Sequence, residues 1–242
     1  MTPHRDDRFV AHFDMLGMSA LTKRDPDLAW EKLSALSRAR DERMRLVIER
    51  LDTGELIMDQ IRSFIFSDTL VAFSKRNTQN DVMALLLLTT ELFAQALHYC
   101  IPLRGGIAHG RFSFNPDLNL FSGPALVEAY ALGESSQWLG IVVDDYTAEI
   151  AKSIPLRSAG EEIIVQWRVP TGVEPLASRY VVNWVQTHRR NYCGPIPLTV
   201  EAFYSPLATL FGPLETLAPS IRLKYENTVK FFNAHCDLAG AP

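Results

Sequence analysis

The chain has little cysteine and no marked excess of charge of either sign. Three of its 242 residues are cysteine, at positions 100, 193 and 236, and none forms a C-x-x-C pair. This pattern favours neither a disulfide framework nor a cysteine zinc site, and it predicts a reducing, cytoplasmic setting. The formal net charge is −4. The sequence therefore lacks the basic field that binding to a nucleic-acid backbone requires.

Targeting signals and long apolar runs are also missing. The N-terminal segment MTPHRDDRF contains no apolar stretch of the kind found in signal peptides. The most apolar run, residues 82–93, is too short to cross a bilayer and is interrupted by Glu91. We therefore expect no membrane span. With 47% hydrophobic residues, the chain has ample material for one buried core.

What the sequence does contain is an alternation of short apolar strands and longer amphipathic helices. Apolar spacing predicts helices over 28–51, 81–99 and 123–138. Strands are predicted over 8–16, 55–74, 101–114 and 140–143. This order predicts an α+β sandwich, in which helices cover one face of a mostly antiparallel sheet. We expect this domain to span residues 1–154, with 155–242 as a C-terminal extension packed on it.

Two acids stand out because each interrupts an apolar strand. Asp68 lies within SFIFSDTLVAFS (63–74), and Asp14 lies near the end of the first strand, before Gly17. Taken alone, each is compatible with a turn carboxylate that accepts backbone N–H bonds. If the first strand lies beside the hairpin, as sequential elements often do, the two carboxylates converge.

Converging carboxylates repel each other, and a divalent cation removes that repulsion. Oxygen ligands of this kind suit magnesium or manganese, usually with substrate phosphates completing the shell. The pair of acids therefore predicts phosphate chemistry.

Four segments resemble motifs of the class III nucleotidyl cyclases, in the same order. FDMLG at 13–17 resembles their first metal motif, and FSDTL at 66–70 resembles the second metal acid on the following hairpin. RGGIAHG at 104–110 and GPALVEA at 123–129 resemble the next strand and helix. The resemblance covers about residues 8–150 and implies the ferredoxin-like cyclase sandwich.

Three positions depart from the purine-specific members of that family. Phe64 stands where they carry a base-reading lysine, Val127 where they carry a transition-state asparagine, and Ala131 where they carry an arginine. Within the family the chain is most similar to the pyrimidine cyclases of bacterial Pycsar anti-phage systems, which share the R-G-G-I strand and a helix like that at 123–130.

The Pycsar resemblance implies conversion of UTP to 3′,5′-cyclic UMP, with CTP and cyclic CMP as the less favoured alternative. It also implies a homodimer with active sites at its interface, and a downstream effector that the cyclic nucleotide activates.

The resemblance also implies roles for individual residues. Asp14 and Asp68 would hold two divalent ions, Mn²⁺ or Mg²⁺, with the backbone carbonyl of Met15 also facing a metal. Arg104 is the favoured candidate to neutralise charge at the α-phosphate, although a surface ion pair explains it equally well. The further nucleotide-binding candidates are Phe13, Met15, Leu16, Gly17, Met18, Phe64 and Arg111.

Three other functions remain open from the sequence. A catalytically silent, nucleotide-binding cyclase relative is favoured by the missing asparagine and arginine and disfavoured by the two retained acids. An RNA-binding sandwich would need exposed aromatic residues and a basic face, which the sequence does not indicate. A diguanylate cyclase would carry a Gly-Gly-Asp/Glu-Glu-Phe signature, which is absent.

Overall fold

The computed structural model describes residues 4–50, 61–154, 157–158, 161–172, 177–192 and 197–236. Cys193 and the first part of the strand predicted at 55–74 lie outside the described residues. The strands, in chain order, are β1 (His4–Met15), β2 (Ile61–Phe66), β3 (Thr69–Ser74), β4 (Leu103–Asn115), β5 (Leu120–Ser122), β6 (Ile141–Val143), β7 (Arg157–Ser158), β8 (Glu161–Glu162), β9 (Ile164–Val169) and β10 (Ala177–Val182).

One central sheet organises the chain. Its strand order is β2-β3-β1-β4-β6-β10-β9, with β5 paired to β4 off this path. Every pairing in this sheet is antiparallel except that between β4 and β6. The predicted α+β class with a mostly antiparallel sheet is therefore confirmed.

The helices differ from the predicted ones mainly at their ends. The helix predicted at 123–138 stops at Glu134, and the short helix that follows Gly17 was not predicted. The helices are α1 (Met18–Arg24), α2 (Pro26–Arg50), α3 (Gln79–His98), α4 (Pro124–Glu134), α5 (Asp145–Lys152), α6 (Val185–Asn191), α7 (Val200–Phe211) and α8 (Pro219–His235), with a 3₁₀ turn at Leu214–Thr216.

The two faces of β1 serve different layers. Phe9 and Phe13 are buried in the main core together with apolar residues of α3 such as Leu85. Val10, on the opposite face, packs in a smaller cluster with Ala125 of α4. Because side chains alternate along a strand, α3 and α4 lie on opposite faces of the sheet.

Close approach of α4 to the sheet depends on glycine. A Cβ atom at Gly106 would collide with the backbone carbonyl oxygen of Ala129, and Gly133 of α4 lies directly over Gly105. The Gly105-Gly106 pair therefore allows the backbones of β4 and α4 to approach closely.

The C-terminal segment completes the sheet. β10 pairs with β6, and β9 extends the same sheet at its edge. Phe231 of α8 is fully buried and contacts the ring of Trp138, with 4.8 Å between ring centroids. The described residues of the segment expected to pack on the domain as a C-terminal extension add strands to its sheet and side chains to its core.

One helix within the described residues has the length and apolar composition of a membrane span. It is α3, and 83% of its most apolar window is buried inside the fold. Its side chains contribute to the main core on the face of β1 that carries Phe13. This burial is typical of a core helix.

Candidate active site

Asp14 and Asp68 lie at the same end of two neighbouring strands. β1 and β3 are antiparallel with Asp14 opposite Thr69, so Asp68 occupies the adjoining tip of the β2–β3 hairpin. The backbone N–H of Met15 donates to the carbonyl oxygen of Asp68 at 2.8 Å. Ser67, the other residue of this two-residue loop, has a φ of 54°. The tight hairpin therefore places Asp68 beside the end of β1.

The two acids have opposite electrostatic environments. Burial is the main cause that raises the pKa of Asp14, and the Arg104 guanidinium opposes it; the charges of Glu134 and Asp68 raise the pKa further. The hydroxyl of Ser19 donates to the carboxylate of Asp68 and holds the pKa of that group below its ordinary value. One carboxylate is thus half-buried and crowded by negative charge, while the other is stabilised as an anion.

Arg104 connects the acids to helix α4. It lies opposite Asp14 in the β1–β4 pairing, and its Nε donates to Asp14 Oδ2 at 3.1 Å. The same guanidinium bonds the Glu134 carboxylate and donates to the Glu134 carbonyl oxygen at 3.3 Å. Its side chain is only 11% exposed. Arg104 is therefore held firmly within an acidic cluster, unlike an ordinary surface arginine.

The donor set fits a divalent cation that a substrate helps to hold. Among the described residues there is no group of three or more histidine, cysteine or acidic side chains arranged to hold a metal ion. Asp14 and Asp68 supply carboxylate oxygens only, which are the ligands that Mg²⁺ and Mn²⁺ prefer. Two carboxylates with space left for phosphate oxygens are the usual arrangement for Mg²⁺ in nucleotide sites. The residues present therefore fit such a cation.

Comparison with solved structures identifies the architecture. The catalytic core of a rhodopsin-guanylyl cyclase with converted specificity, in complex with ATPalphaS, matches with a TM-score of 0.52 at 10% identity, over 75% of this chain and 98% of that one. The chain has the nucleotidyl cyclase fold. No protein-family model and no curated protein matches it.

Two further solved structures match less closely. The guanylyl cyclase Cya2 has a TM-score of 0.48 at 12% identity, over 75% of this chain and 94% of that one. An adenylate/guanylate cyclase/hydrolase from Silicibacter pomeroyi has a TM-score of 0.47 at 17% identity, over 74% and 97%.

Within the cyclase fold, the residues around the first turn offer backbone groups rather than side chains. The side chains of Phe13, Met15 and Met18 are each 1% exposed. The N–H of Leu16 donates to the carbonyl oxygen of Pro102 at 2.9 Å, so that amide already has a partner. Gly17 has a φ of 78°, and a side chain there would collide with Phe211 of α7.

The remaining two predicted nucleotide-binding residues, Phe64 and Arg111, lie in different parts of the sheet. Phe64 belongs to an aromatic cluster, with 4.5 Å between its ring centroid and that of Phe121. Arg111 is exposed and lies seven residues beyond Arg104 on the same strand, which corresponds to roughly 23 Å along β4. The structure therefore does not bring Arg111 into the cluster around Asp14, and within one chain the two arginines do not share a site.

Sequence reasoning missed two members of this site. Ser19 bonds Asp68 from the start of α1, and Glu134 bonds Arg104 from the end of α4. A hydroxyl just after Gly17 was an available signal for Ser19. No local sequence pattern indicated Glu134, because it is 30 residues from Arg104 along the chain.

Proposed function

We propose that this chain is a pyrimidine nucleotide cyclase that converts UTP to 3′,5′-cyclic UMP and pyrophosphate. One observation carries the proposal: Asp14, Asp68 and Arg104 converge at one end of the sheet in a nucleotidyl cyclase fold. Conversion of CTP to cyclic CMP is the alternative within the same activity.

The reaction requires charge control more than covalent participation by side chains. The ribose 3′-oxygen forms a bond to the α-phosphorus, the bond from that phosphorus to the leaving oxygen breaks, and the 3′-hydroxyl proton passes to water. Asp14 and Asp68 would hold two divalent ions, Mn²⁺ or Mg²⁺, with the carbonyl of Met15 assisting. When bound, such ions lower the pKa of the attacking hydroxyl and offset charge on the triphosphate.

Arg104 is suited to neutralise charge at the α-phosphate. Its contact with Asp14 measures 3.1 Å, and its bonds to Glu134 also hold the guanidinium in place. Glu134 would retain Arg104 when Asp14 turns its oxygens to a cation. The freed N–H group would then donate to a phosphate oxygen, an interaction that is strong in a site shielded from water.

The base preference rests on the resemblance and on one side chain. Phe64, at the place of the purine-reading lysine, presents an apolar ring that is 36% exposed and packed against Phe121. It offers no hydrogen bond to a purine edge. The preference for UTP comes from the resemblance to the pyrimidine cyclases, which also implies a nucleotide messenger that activates an effector in anti-phage defence.

A homodimer would cover apolar side chains that a single chain leaves open. Phe66 is 83% exposed. It lies on the same sheet face as Asp14, because both residues are paired with Thr69, Phe66 from β2 and Asp14 from β1. Val127 and Tyr130 of α4 are 66% and 48% exposed. Burying such side chains against a second copy is favourable, and it would close the site between two chains.

The test is incubation of the purified chain with UTP, CTP, ATP and GTP separately, with Mn²⁺, and product analysis by mass spectrometry. We expect a cyclic pyrimidine monophosphate that is absent with Asp68→Ala. Asp117→Ala, which changes an exposed turn acid, is the matched control and should leave the product unchanged.

Each other outcome has a definite meaning. A cyclic purine would retain the cyclase activity and overturn the pyrimidine preference. Tight nucleotide binding without product from any of the four would identify a catalytically silent nucleotide sensor. If the chain neither binds any of the four nucleotides nor forms a product, the proposed function is wrong.

A further inference from the structure

The C-terminal helix α8 is bonded to the turn that follows α4. Asn227 Nδ2 donates to the carbonyl oxygen of Gln137 at 2.9 Å, and the N–H of Leu139 donates to Thr228 Oγ1 at 2.7 Å. Asn227 and Thr228 are both buried. These two bonds between buried groups fix the position of α8 against the turn.

That turn adjoins the acidic cluster. It begins directly after Glu134, the residue that bonds Arg104. It ends at Gly140, whose carbonyl oxygen accepts the N–H of Gly105 at 2.9 Å. The helix docked on this turn is therefore a near neighbour of the Arg104 guanidinium.

Lys224 of α8 contacts the same turn. Its Nζ donates to the side-chain oxygen of Gln137 at 3.1 Å. Burial, followed by the positive charge of Arg104, lowers the pKa of Lys224, while the charges of Glu134 and Asp14 act in the opposite direction. Lys224 therefore lies within electrostatic reach of the cluster around Arg104.

The charge of Lys224 has no direct partner of opposite sign within the described part of the chain. No ion pair joins Lys224 to an acid there, and its hydrogen-bond partner is a neutral amide. An ammonium group has three N–H donors, so two remain for another acceptor. Two neighbouring cations, one of them without a direct counter-charge, form a place for a multiply charged anion.

We propose that Lys224 binds the triphosphate of the nucleotide beside Arg104, so that the C-terminal helix forms part of the substrate site. This inference rests on the proposed function. It gives α8 a role in ligand binding that is separate from its packing role, which Phe231, Asn227 and Thr228 already perform.

The test compares nucleotides with different numbers of phosphates. Binding of 3′-deoxy-UTP, which lacks the attacking hydroxyl, and of UMP is measured by calorimetry with Mn²⁺ for the wild type and Lys224→Gln. We expect Lys224→Gln to weaken binding of the triphosphate about tenfold, with UMP affinity unchanged. Lys224→Arg should restore most of the loss. If CTP proves to be the substrate, the cytidine analogues replace these two.

Lys230→Gln is the matched control, because Lys230 lies on the same helix but is exposed and bonds Asn227 instead. It should bind both nucleotides as the wild type does. Equal losses for the triphosphate and UMP in Lys224→Gln would indicate a structural role and overturn the inference, as would unchanged affinity for both.

The two proposals fail in different ways. If the wild type forms a cyclic product and Lys224→Gln binds the triphosphate normally, only the inference about Lys224 is wrong. If the wild type neither binds nor converts any nucleoside triphosphate, the proposed function is wrong and the inference falls with it.

Discussion

Near its C-terminal end, strand β1 carries core side chains on one face and charged groups on the other, whereas in the middle of the strand Val10 is buried on that second face as well. On one face, Phe9 and Phe13 are no more than 1% exposed and belong to the main core. On the other face, Asp14 is part of an acidic cluster with Arg104, and its side chain is 28% exposed. Phe13 and Asp14 are adjacent in sequence, but successive side chains of a strand point to opposite faces of the sheet.

This comparison shows how the fold can hold charged groups without weakening its core. The face with Phe13 supplies stability because it excludes water. The face with Asp14 keeps polar groups partly hydrated and paired, which reduces the free-energy cost of burying them. Substitutions on the two faces should therefore separate activity from stability, and the following predictions test that separation.

The largest expected effect belongs to Asp14→Asn. An amide does not supply the charge that holds a divalent cation, so we expect kcat to fall at least about 1,000-fold, or roughly 4 kcal/mol of transition-state stabilisation. The free energy of unfolding should change by no more than about 1 kcal/mol, because Glu134 still pairs with Arg104. Cyclase assays and urea unfolding measure the two quantities, and a comparable loss of both would contradict the separation.

Phe13→Ala should show the opposite pattern, with stability as the main loss. Truncating a fully buried aromatic ring removes its burial energy and leaves a cavity, so we expect a loss of about 3–5 kcal/mol of unfolding free energy. Urea unfolding followed by circular dichroism measures this loss. A loss below about 1 kcal/mol would mean that this face of the sheet is loosely packed.

His188, a titratable residue packed among aromatic side chains, should make the free energy of unfolding depend on pH. Burial lowers the pKa of His188 from 6.5 to about 4. Between these values the unfolded chain binds a proton that the folded chain does not, so stability decreases as the pH falls. From pH 7 to pH 5 this contribution is about 2 kcal/mol.

His188→Phe keeps an aromatic ring among Trp184, Tyr192 and Phe232 and removes the titration. In this variant, the decrease in unfolding free energy from pH 7 to pH 5 should be smaller by about 2 kcal/mol. Urea unfolding at pH 7 and pH 5 measures it, and an equal pH dependence for variant and wild type would show that folding does not lower the pKa of His188.

The smallest effect on stability is expected for Phe66→Ala. This ring lies on the face of Asp14 and is 83% exposed, so its removal should change the unfolding free energy of the single chain by less than about 0.5 kcal/mol. The proposed dimer should weaken, because a second copy would bury the ring. Sedimentation over a concentration series measures dimerisation, and unchanged association would place the partner elsewhere.

Local patterns in the sequence predicted the central elements well. The first strand, with Asp14 near its end, and the hairpin at Asp68 were expected, and the structure places them side by side. Short elements were harder to predict. Helix α1 has seven residues and lies between the predicted first strand and helix. Strand β10 and helix α6 were not foreseen at all, because the segment that holds them has no clear apolar period.

Local sequence patterns could not predict the contacts around Arg104. Periodicity reports which residues are apolar on one element, but it does not report where two elements cross. Glu134 meets Arg104 across 30 positions, and Asn227 meets Gln137 across 90. No local sequence pattern therefore predicted that α8 lies beside the acidic cluster.

The sequence by itself determined most strands and helices of the core and the two acids at the strand ends, because burial periodicity and turn chemistry act over a few neighbouring residues. Only the tertiary structure decided which charges meet: Arg104 with Asp14 and Glu134, and Lys224 near all three. The physical reason is that electrostatic interactions depend on distance in space, and the packing of α4 and α8 against the sheet sets that distance.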